Sequence, residues 1–457
     1  METGFWEDIS SKLKAATEDI ERSSQRSLAP LKHIPEILSY LKDLDGPDLL
    51  LLIDTARRIK KHKDPNFPEI DGDFYDVLDY VDPEEKPTVL KVRKFMQTEV
   101  EPIANEYWLK GEFPFDLIDK MKKLKICGLT VDEKYGGQGR SNLLEGLIAQ
   151  EMSRVDVSTC TFFGVHNGLA LQSINVCGSE EQKLEWLPKM ILMEKLGAFG
   201  LTEPEVGSAI SMGMRTRCRK EKGEWIINGE KKWIGNATFS DFIIIWAKDE
   251  DDHQVKGFIV DRLTEGLETE KIEDKMSLRT VQNAIIRLKD VRVPESRKLE
   301  KANTFRDTSK VLKMTRAGVA WQAVGCARGA YENSLKYCQT RHQFGRPIGA
   351  FQMTQDLLSH MLSQLTAMQT MVSRLSQLQD KGAMSDEQAS LAKIFCTVSC
   401  RDITSKAREL MGGNGILLEN NVARFLADAE ALYSYEGTKQ INSLIVGRAI
   451  TGHSAFV

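Results

Sequence analysis

The chain has 457 residues, of which 41% are hydrophobic and 28% charged, and a formal net charge of -4. That length exceeds one ordinary core and implies about two to four domains, while the near-balanced charge removes the electrostatic case for nucleic acid, so substrate phosphates must be met locally. No apolar run approaches the ~20 residues a membrane helix needs, so no transmembrane segment is expected.

The eight cysteines, Cys127, Cys160, Cys177, Cys218, Cys326, Cys338, Cys396 and Cys400, form no CxxC and no regular framework. Free thiols in a reducing compartment, whether cytosol, mitochondrial matrix or peroxisome, are expected, with Cys396 and Cys400 packed in a helical core and no metal site. Glu2, Glu7 and Asp8 are unlike an acid-poor import presequence, and Ala455-Phe456-Val457 is no peroxisomal tripeptide, so the sequence gives no address.

Residues 1–78 read as an N-terminal helical extension. Ile37 to Leu44 fits an amphipathic helix, Asp45-Gly46-Pro47 breaks it, and an apolar stretch then runs into the basic segment Arg57 to Lys63. Two readings stay open here, a helical hairpin laid on the body and a membrane-surface or partner-binding tail. Over 79–195 apolar positions recur at helical spacing, as in Val89, Val92, Phe95 and Met96 and again in Leu143, Leu147, Ile148 and Met152, which predicts an α domain. Its glycine-rich stretch Glu133 to Gly139 lacks the strand and helix flanks of a dinucleotide fingerprint and reads as a turn. Over 196–305 the period shortens to β-rich runs at Met214 to Cys218, Glu224 to Ile227, Lys231 to Ile234, Phe242 to Ala247, Gly257 to Val260 and Ala284 to Leu288. Asn228-Gly229 between two of them predicts a hairpin, and the whole a β domain of sandwich or barrel type. Over 306–457 long helices return at Ser309 to Thr340, Gln352 to Lys381 and Asp386 to Met411, the first rich in Ala and Gly that let backbones approach closely, so a four-helix bundle is expected.

Several short segments carry groups suited to chemistry. Phe199 to Ser208 opens the β region with the hydroxyls of Thr202 and Ser208 beside glycines, a loop able to hydrogen-bond a flat polar ring. Arg341-His342-Gln343-Phe344-Gly345 lies at a helix end, where guanidinium and ring suit a nucleotide's phosphate and base, although by itself the segment reads more plainly as a charged helix terminus. Met411 to Gly415 ends another helix and could offer bare amides to phosphate, although a plain glycine cap explains it equally well. Tyr435-Glu436-Gly437-Thr438 interrupts two helical stretches, and Leu432, Tyr433, Tyr435 and Ile441 around the acid should raise its pKa by desolvation, as a base for a carbon-bound proton requires, although taken alone a surface or salt-bridged glutamate is the plainer reading.

Taken in order, these segments resemble the acyl-CoA dehydrogenase and oxidase superfamily from about residue 84 to 457. The matching strings also include Glu133-Lys134-Tyr135-Gly136-Gly137, Gly178-Ser179-Glu180-Glu181-Gln182-Lys183, Leu201-Thr202-Glu203-Pro204, Trp233-Ile234-Gly235-Asn236 and Gly412-Gly413-Asn414-Gly415. The resemblance implies an α+β, mostly α fold, with an N-terminal helical domain, a central β domain and a C-terminal four-helix domain, in a homotetramer or homodimer. It implies a flavoprotein whose FAD is surrounded by Phe199, Leu201, Thr202, Ser208, Trp233 and Gly235, with Thr438 and Gln440 near it. Arg341, Phe344, Gln352, Glu409, Gly412 and Gly413 would hold the FAD of a neighbouring subunit. Ser208, Arg316 and Gly437 match substrate-side positions, and Glu436 matches the catalytic base of an acyl-CoA α,β-dehydrogenation of the kind used in β-oxidation of fatty acids. No carboxylate stands in Lys313 to Arg316, where some branches carry the base.

Glutaryl-CoA dehydrogenase and the plant peroxisomal short-chain acyl-CoA oxidase look most similar. In the former an Arg that pairs with the distal carboxylate stands where this chain has Cys160, which argues against oxidative decarboxylation of a dicarboxylyl substrate. Gly235 stands where many dehydrogenases have a Thr that bonds the flavin, and its small size would leave room for dioxygen. Dioxygen and an electron-transfer flavoprotein therefore both remain as acceptors for a short- or medium-chain enzyme. A non-catalytic scaffold of the same fold is the reading from another class. The family's Gly-Ser-Asp reads Gly207-Ser208-Ala209 here, which leaves the local loop geometry open.

Overall fold

The computed structural model describes residues 71–454. The helix expected at 37–44 and the basic run at 57–63 lie outside the described residues.

The first described layer is helical: α1 (Lys86–Phe95), α2 (Glu101–Lys110), α3 (Asp116–Lys122), α4 (Asn142–Ser153), α5 (Val157–Gly164), α6 (Gln172–Cys177) and α7 (Glu180–Ile191). Local chemistry sets several starts. Asp156 accepts from Thr159 N to cap α5, and Ser179 with Gln182 forms a reciprocal capping box at α7. Between α5 and α6 the helix widens over Val165–Leu171.

A single seven-stranded sheet follows: β1 (Gly197–Gly200), β2 (Arg217–Glu221), β3 (Glu224–Ile234), β4 (Phe242–Asp249), β5 (Val255–Asp261), β6 (Leu267–Lys271) and β7 (Ala284–Pro294), with the one-turn helix α8 (Ile210–Gly213) between β1 and β2. The strand order is β1-β4-β2-β3-β7-β6, with β5 on β4. Its core is Ile227, Ile243, Ile245, Phe258, Val260, Ile286 and Val291, all essentially inaccessible. One expectation is corrected here. Asn228-Gly229 is no hairpin: 224–234 is one strand with register shifts, in which Asn228 pairs Arg217 and Gly229 pairs Leu288. The glycine is needed because a Cβ there would stand 2.6 Å from the Thr216 backbone. The tight hairpin lies one step earlier, at Lys222 and Gly223, which both take positive φ.

The last layer contains five helices: α9 (Phe305–Thr340), α10 (Gln352–Asp380), α11 (Asp386–Leu410), α12 (Val422–Ser434) and α13 (Lys439–Thr451). Three long helices carry it, and the fourth member expected of a bundle is divided into two short ones by the turn at Glu436. The small residues of α9 act as expected, since a Cβ on Gly325 would come 2.4 Å from Gln150 O of α4. Where these helical layers meet, buried Glu151 is ion-paired with Arg93 at 2.9 Å, Arg154 at 3.1 Å and Arg328 at 3.4 Å. All eight cysteines are buried and free, Cys396 and Cys400 included.

Candidate functional site

Helix α12 stops at Ser434 and α13 starts at Lys439 because the residues between them leave helical space: Glu436 has φ 53° and Gly437 φ 85°. A glutamate in the left-handed region is strained by about 1 to 3 kcal/mol and persists only where the surroundings fix it. Here they do. The Thr438 hydroxyl caps α13 by accepting from Ile441 N at 3.3 Å. Asn442 Nδ2 donates to Gly437 O at 2.8 Å and Thr438 O at 3.1 Å, and Lys393 Nζ of α11 donates to Tyr433 O at 2.9 Å and Gly437 O at 2.8 Å. The Tyr435 hydroxyl donates to Gln322 Oε1 of α9.

The carboxylate of Glu436 accepts a hydrogen bond from Thr315 Oγ1 at 2.7 Å. Burial raises its pKa above the ordinary value, as the apolar neighbours lead one to expect, but the Thr315 hydroxyl, Arg316 and Lys393 pull the other way. Burial also pulls Lys393 down to about 8, against the attraction of Glu436. The acid is therefore poised between an apolar wall and two cations. Thr315 lies 121 residues away in sequence, and no local pattern announces it, nor Lys393, Gln322 or Asn442. Arg316 and Gly437, expected on the substrate side, do fall beside the acid.

A second group forms at the edge of the sheet. Phe199 is buried and tilts against Trp246 at 6.0 Å between centroids. Leu201 and Thr202 follow it on a loop tied down from behind: buried Lys231 donates to Leu201 O at 3.0 Å and to Glu203 Oε1 at 2.9 Å, and Lys232 N donates to Thr202 O at 2.8 Å. Burial lowers Lys231 to about 8, and its ammonium with the Thr216 and Arg215 amides holds the Glu203 carboxyl below the usual range against burial. Trp233 ends this arrangement with φ 66° and an indole that is 54% exposed. Ser208 is exposed beyond the loop. Helix α5 and its continuation link the two groups. Thr161 sits beside Tyr435, Phe162 O accepts from Asn236 Nδ2 at 3.1 Å, and Val165 Cγ2 lies 3.0 Å from where a Cβ on Gly235 would stand. Val165 therefore crowds the place a Cβ would take at Gly235 and narrows the room expected there.

The third group is elsewhere. Arg341 follows the last residue of α9, and the hairpin of His342–Gln343 with Arg346–Pro347 turns at Phe344 and Gly345, both with positive φ. Phe344 is 94% exposed, while Gly412 and Gly413 have no atom within 4 Å of a built Cβ. Asn414 Nδ2 donates to Tyr337 Oη at 2.8 Å, which ties this glycine loop to the end of α9. Gln352 and Glu409 are exposed as well, and so is Gln440. Thr315 and Arg341 are separated by unbroken helix, roughly 39 Å at ~1.5 Å per residue, so one chain does not bring this group to the acid.

These features fit an elongated flavin nucleotide. A fixed, half-exposed indole beside a hydroxyl and backbone suits a flat heteroaromatic ring, while an exposed arginine, an exposed phenyl ring and uncrowded glycines suit the phosphate and base end.

Models of the acyl-CoA dehydrogenase N-terminal, middle and C-terminal domains match residues 82–206, 198–291 and 305–451. A 3-(aryl)acrylate reductase from Clostridium sporogenes is 35% identical over 358 residues, 78% of this chain and 95% of that protein. A glutaryl-CoA dehydrogenase from Mycobacterium smegmatis in complex with FADH2 superposes with a TM-score of 0.81 at 33% identity, covering 84% of this chain and 98% of that one. The butyryl-CoA dehydrogenase of Megasphaera elsdenii gives a TM-score of 0.78 at 30% identity, covering 81% and 98%.

Proposed function

The chain belongs to the acyl-CoA dehydrogenase family, FAD-dependent oxidoreductases acting on CH–CH bonds, and from that membership we propose that it converts a short- or medium-chain acyl-CoA to the trans-2-enoyl-CoA with Glu436 as the base. The observation that carries this reading is the Glu436 turn, a strained, many-times-fastened carboxylate whose pKa is raised by burial.

Glu436 removes the α-proton of the thioester. Its own backbone N–H has no hydrogen-bond partner among the described residues, so it is available to the thioester carbonyl, where charge develops as the proton leaves. The Thr315 hydroxyl keeps one carboxylate oxygen in place and leaves the other for the proton. Leu201, Thr202 and Trp233 would line the ring of the FAD, which supplies an acceptor for the β-hydrogen as hydride. Arg341, Phe344, Gln352 and the amides at Gly412 and Gly413 would hold the nucleotide end of FAD bound by a second copy of the chain, and the length of α9 supports that division.

Two finer choices follow from packing. Cys160 is buried, and its thiol faces Ala149 O at 3.5 Å, so this position offers no cation where a distal carboxylate would need the arginine, and a glutaryl substrate is disfavoured. Val165 against Gly235 supports an electron-transfer flavoprotein rather than dioxygen as acceptor. Anaerobic titration with butyryl-, hexanoyl-, isobutyryl- and glutaryl-CoA, followed by flavin bleaching, tests the substrate. Bleaching by butyryl- or hexanoyl-CoA is expected, and bleaching by glutaryl-CoA alone would overturn the reading. In air, reoxidation of the reduced enzyme as fast as turnover would reject the flavoprotein acceptor.

A further inference from the structure

Lys393 is wholly buried on α11, yet among the described residues no carboxylate oxygen bonds its ammonium; its acceptors are Tyr433 O and Gly437 O at 2.9 and 2.8 Å. The first of these belongs to the last turn of α12, where the helix dipole favours a cation. The second immediately follows Glu436. The two carbonyls thus bracket the acid, and one side chain fastens both ends of the turn. An apolar side chain of similar length would pack there without the cost of burying a charge, so packing alone gives no reason for a lysine. The Glu436 carboxylate is the negative charge that offsets that cost.

We propose that Lys393 is a positioning residue for this site: it clasps the Tyr433 and Gly437 carbonyls, holds the left-handed Glu436 turn in its working geometry, and supplies the positive charge that favours the ionised carboxylate. The inference rests on Glu436 being the base. The other groups facing that carboxylate are Thr315 and Arg316 on α9 and the phenol of the adjacent Tyr435, which burial keeps neutral, and Arg316 in turn lies 3.5 Å from Asp386 at the start of α11. Arg316 is thus partly neutralised by Asp386, whereas Lys393 has no such second carboxylate bonded to it among the described residues. Lys393 acts on the reaction only through Glu436.

The test compares Lys393→Met, Lys393→Gln and Glu436→Gln with the unaltered enzyme. Two readouts are taken: the pH dependence of anaerobic flavin reduction by butyryl-CoA, and backbone deuterium exchange of residues 433–438 in the holoenzyme. For Lys393→Met the acid limb moves to higher pH by about one unit, the lower end for the loss of an opposite charge, and the turn exchanges faster. Lys393→Gln, one atom shorter and uncharged but still able to donate, moves the limb equally and exchanges less than Met, so it carries the test if Met fails to fold. An unmoved limb with unchanged exchange in either variant overturns the proposal. Flavin reduction that survives Glu436→Gln overturns the base assignment itself, while loss in that variant with no effect at Lys393 sinks only the role given to the lysine.

Discussion

Thr315→Val isolates the hydrogen bond on which the ionisation of Glu436 depends. The Thr315 hydroxyl has one proton and two acceptors in reach, Leu312 O at 3.0 Å and Glu436 Oε2 at 2.7 Å. When the carboxylate is charged, the proton goes to the shorter, charge-assisted bond, worth about 1.5 to 3 kcal/mol. When Glu436 is protonated, its own O–H can donate to Thr315 Oγ1 and the threonine turns to Leu312 O, so part of the interaction survives. The difference between the two states therefore lies near the lower end, about 1.4 kcal/mol, or tenfold in the ionised fraction. Valine has nearly the shape of threonine and Thr315 is buried, so the packing stays. Stopped-flow flavin reduction by butyryl-CoA, measured across the pH range, should be about tenfold slower in the variant on the acid side and should converge with the wild type on the basic side. A loss of equal size at every pH, or no loss, would refute the reasoning, because it would assign the hydroxyl a purely structural role or none.

Glu436→Gln should keep its yellow FAD yet lose flavin bleaching by roughly 10²- to 10⁴-fold. The same variant bears on stability. Because the folded pKa of Glu436 lies above its unfolded value, its contribution is fully present below the ordinary carboxylate range and is lost as pH rises through the folded value. Scanning calorimetry should thus find the wild type losing heat resistance relative to the Gln variant as pH rises through that value, on top of a cost to the variant from leaving Lys393 without its counter-charge. Arg341→Ala and Phe344→Ala, both at exposed positions, should purify folded but with less FAD per chain, read from the absorbance ratio of flavin to protein. Lys231→Met leaves Glu203 buried without its ammonium and should destabilise by about 3 to 5 kcal/mol in denaturant titration, with weakened FAD retention as the Leu201–Thr202 loop loosens.

Much of this architecture was legible because helical and strand periods are local. The long helices α9, α10 and α11 fall within a few residues of the expected bounds, and the break at Tyr435 to Thr438 is where the sequence places it. Asn228-Gly229 misled because a strong hairpin dipeptide can also serve a bulge in a continuous strand, and only the Thr216 backbone beside Gly229 decides between them. The short edge strand β6, Leu267–Lys271, escaped for want of an apolar alternation. Within the site, Glu436 carried its own signal in the motif and its apolar neighbours. Its polar partners carried none, since Thr315 and Lys393 reach it from helices whose register against α12 is set by tertiary packing. The room expected beside Gly235 is narrowed for the same reason: the space beside a glycine depends on its neighbours, and Val165 stands against it.

The central claim is that Glu436 takes the α-proton of an acyl-CoA. The most direct measurement is anaerobic reduction of the enzyme's flavin by butyryl-CoA carrying deuterium at the α-carbon, beside the unlabelled thioester. A clear primary isotope effect on the rate of bleaching in the wild type, with no bleaching of the Glu436→Gln variant by either thioester, is the predicted result. Equal rates for the two thioesters together with an active Gln variant would contradict it.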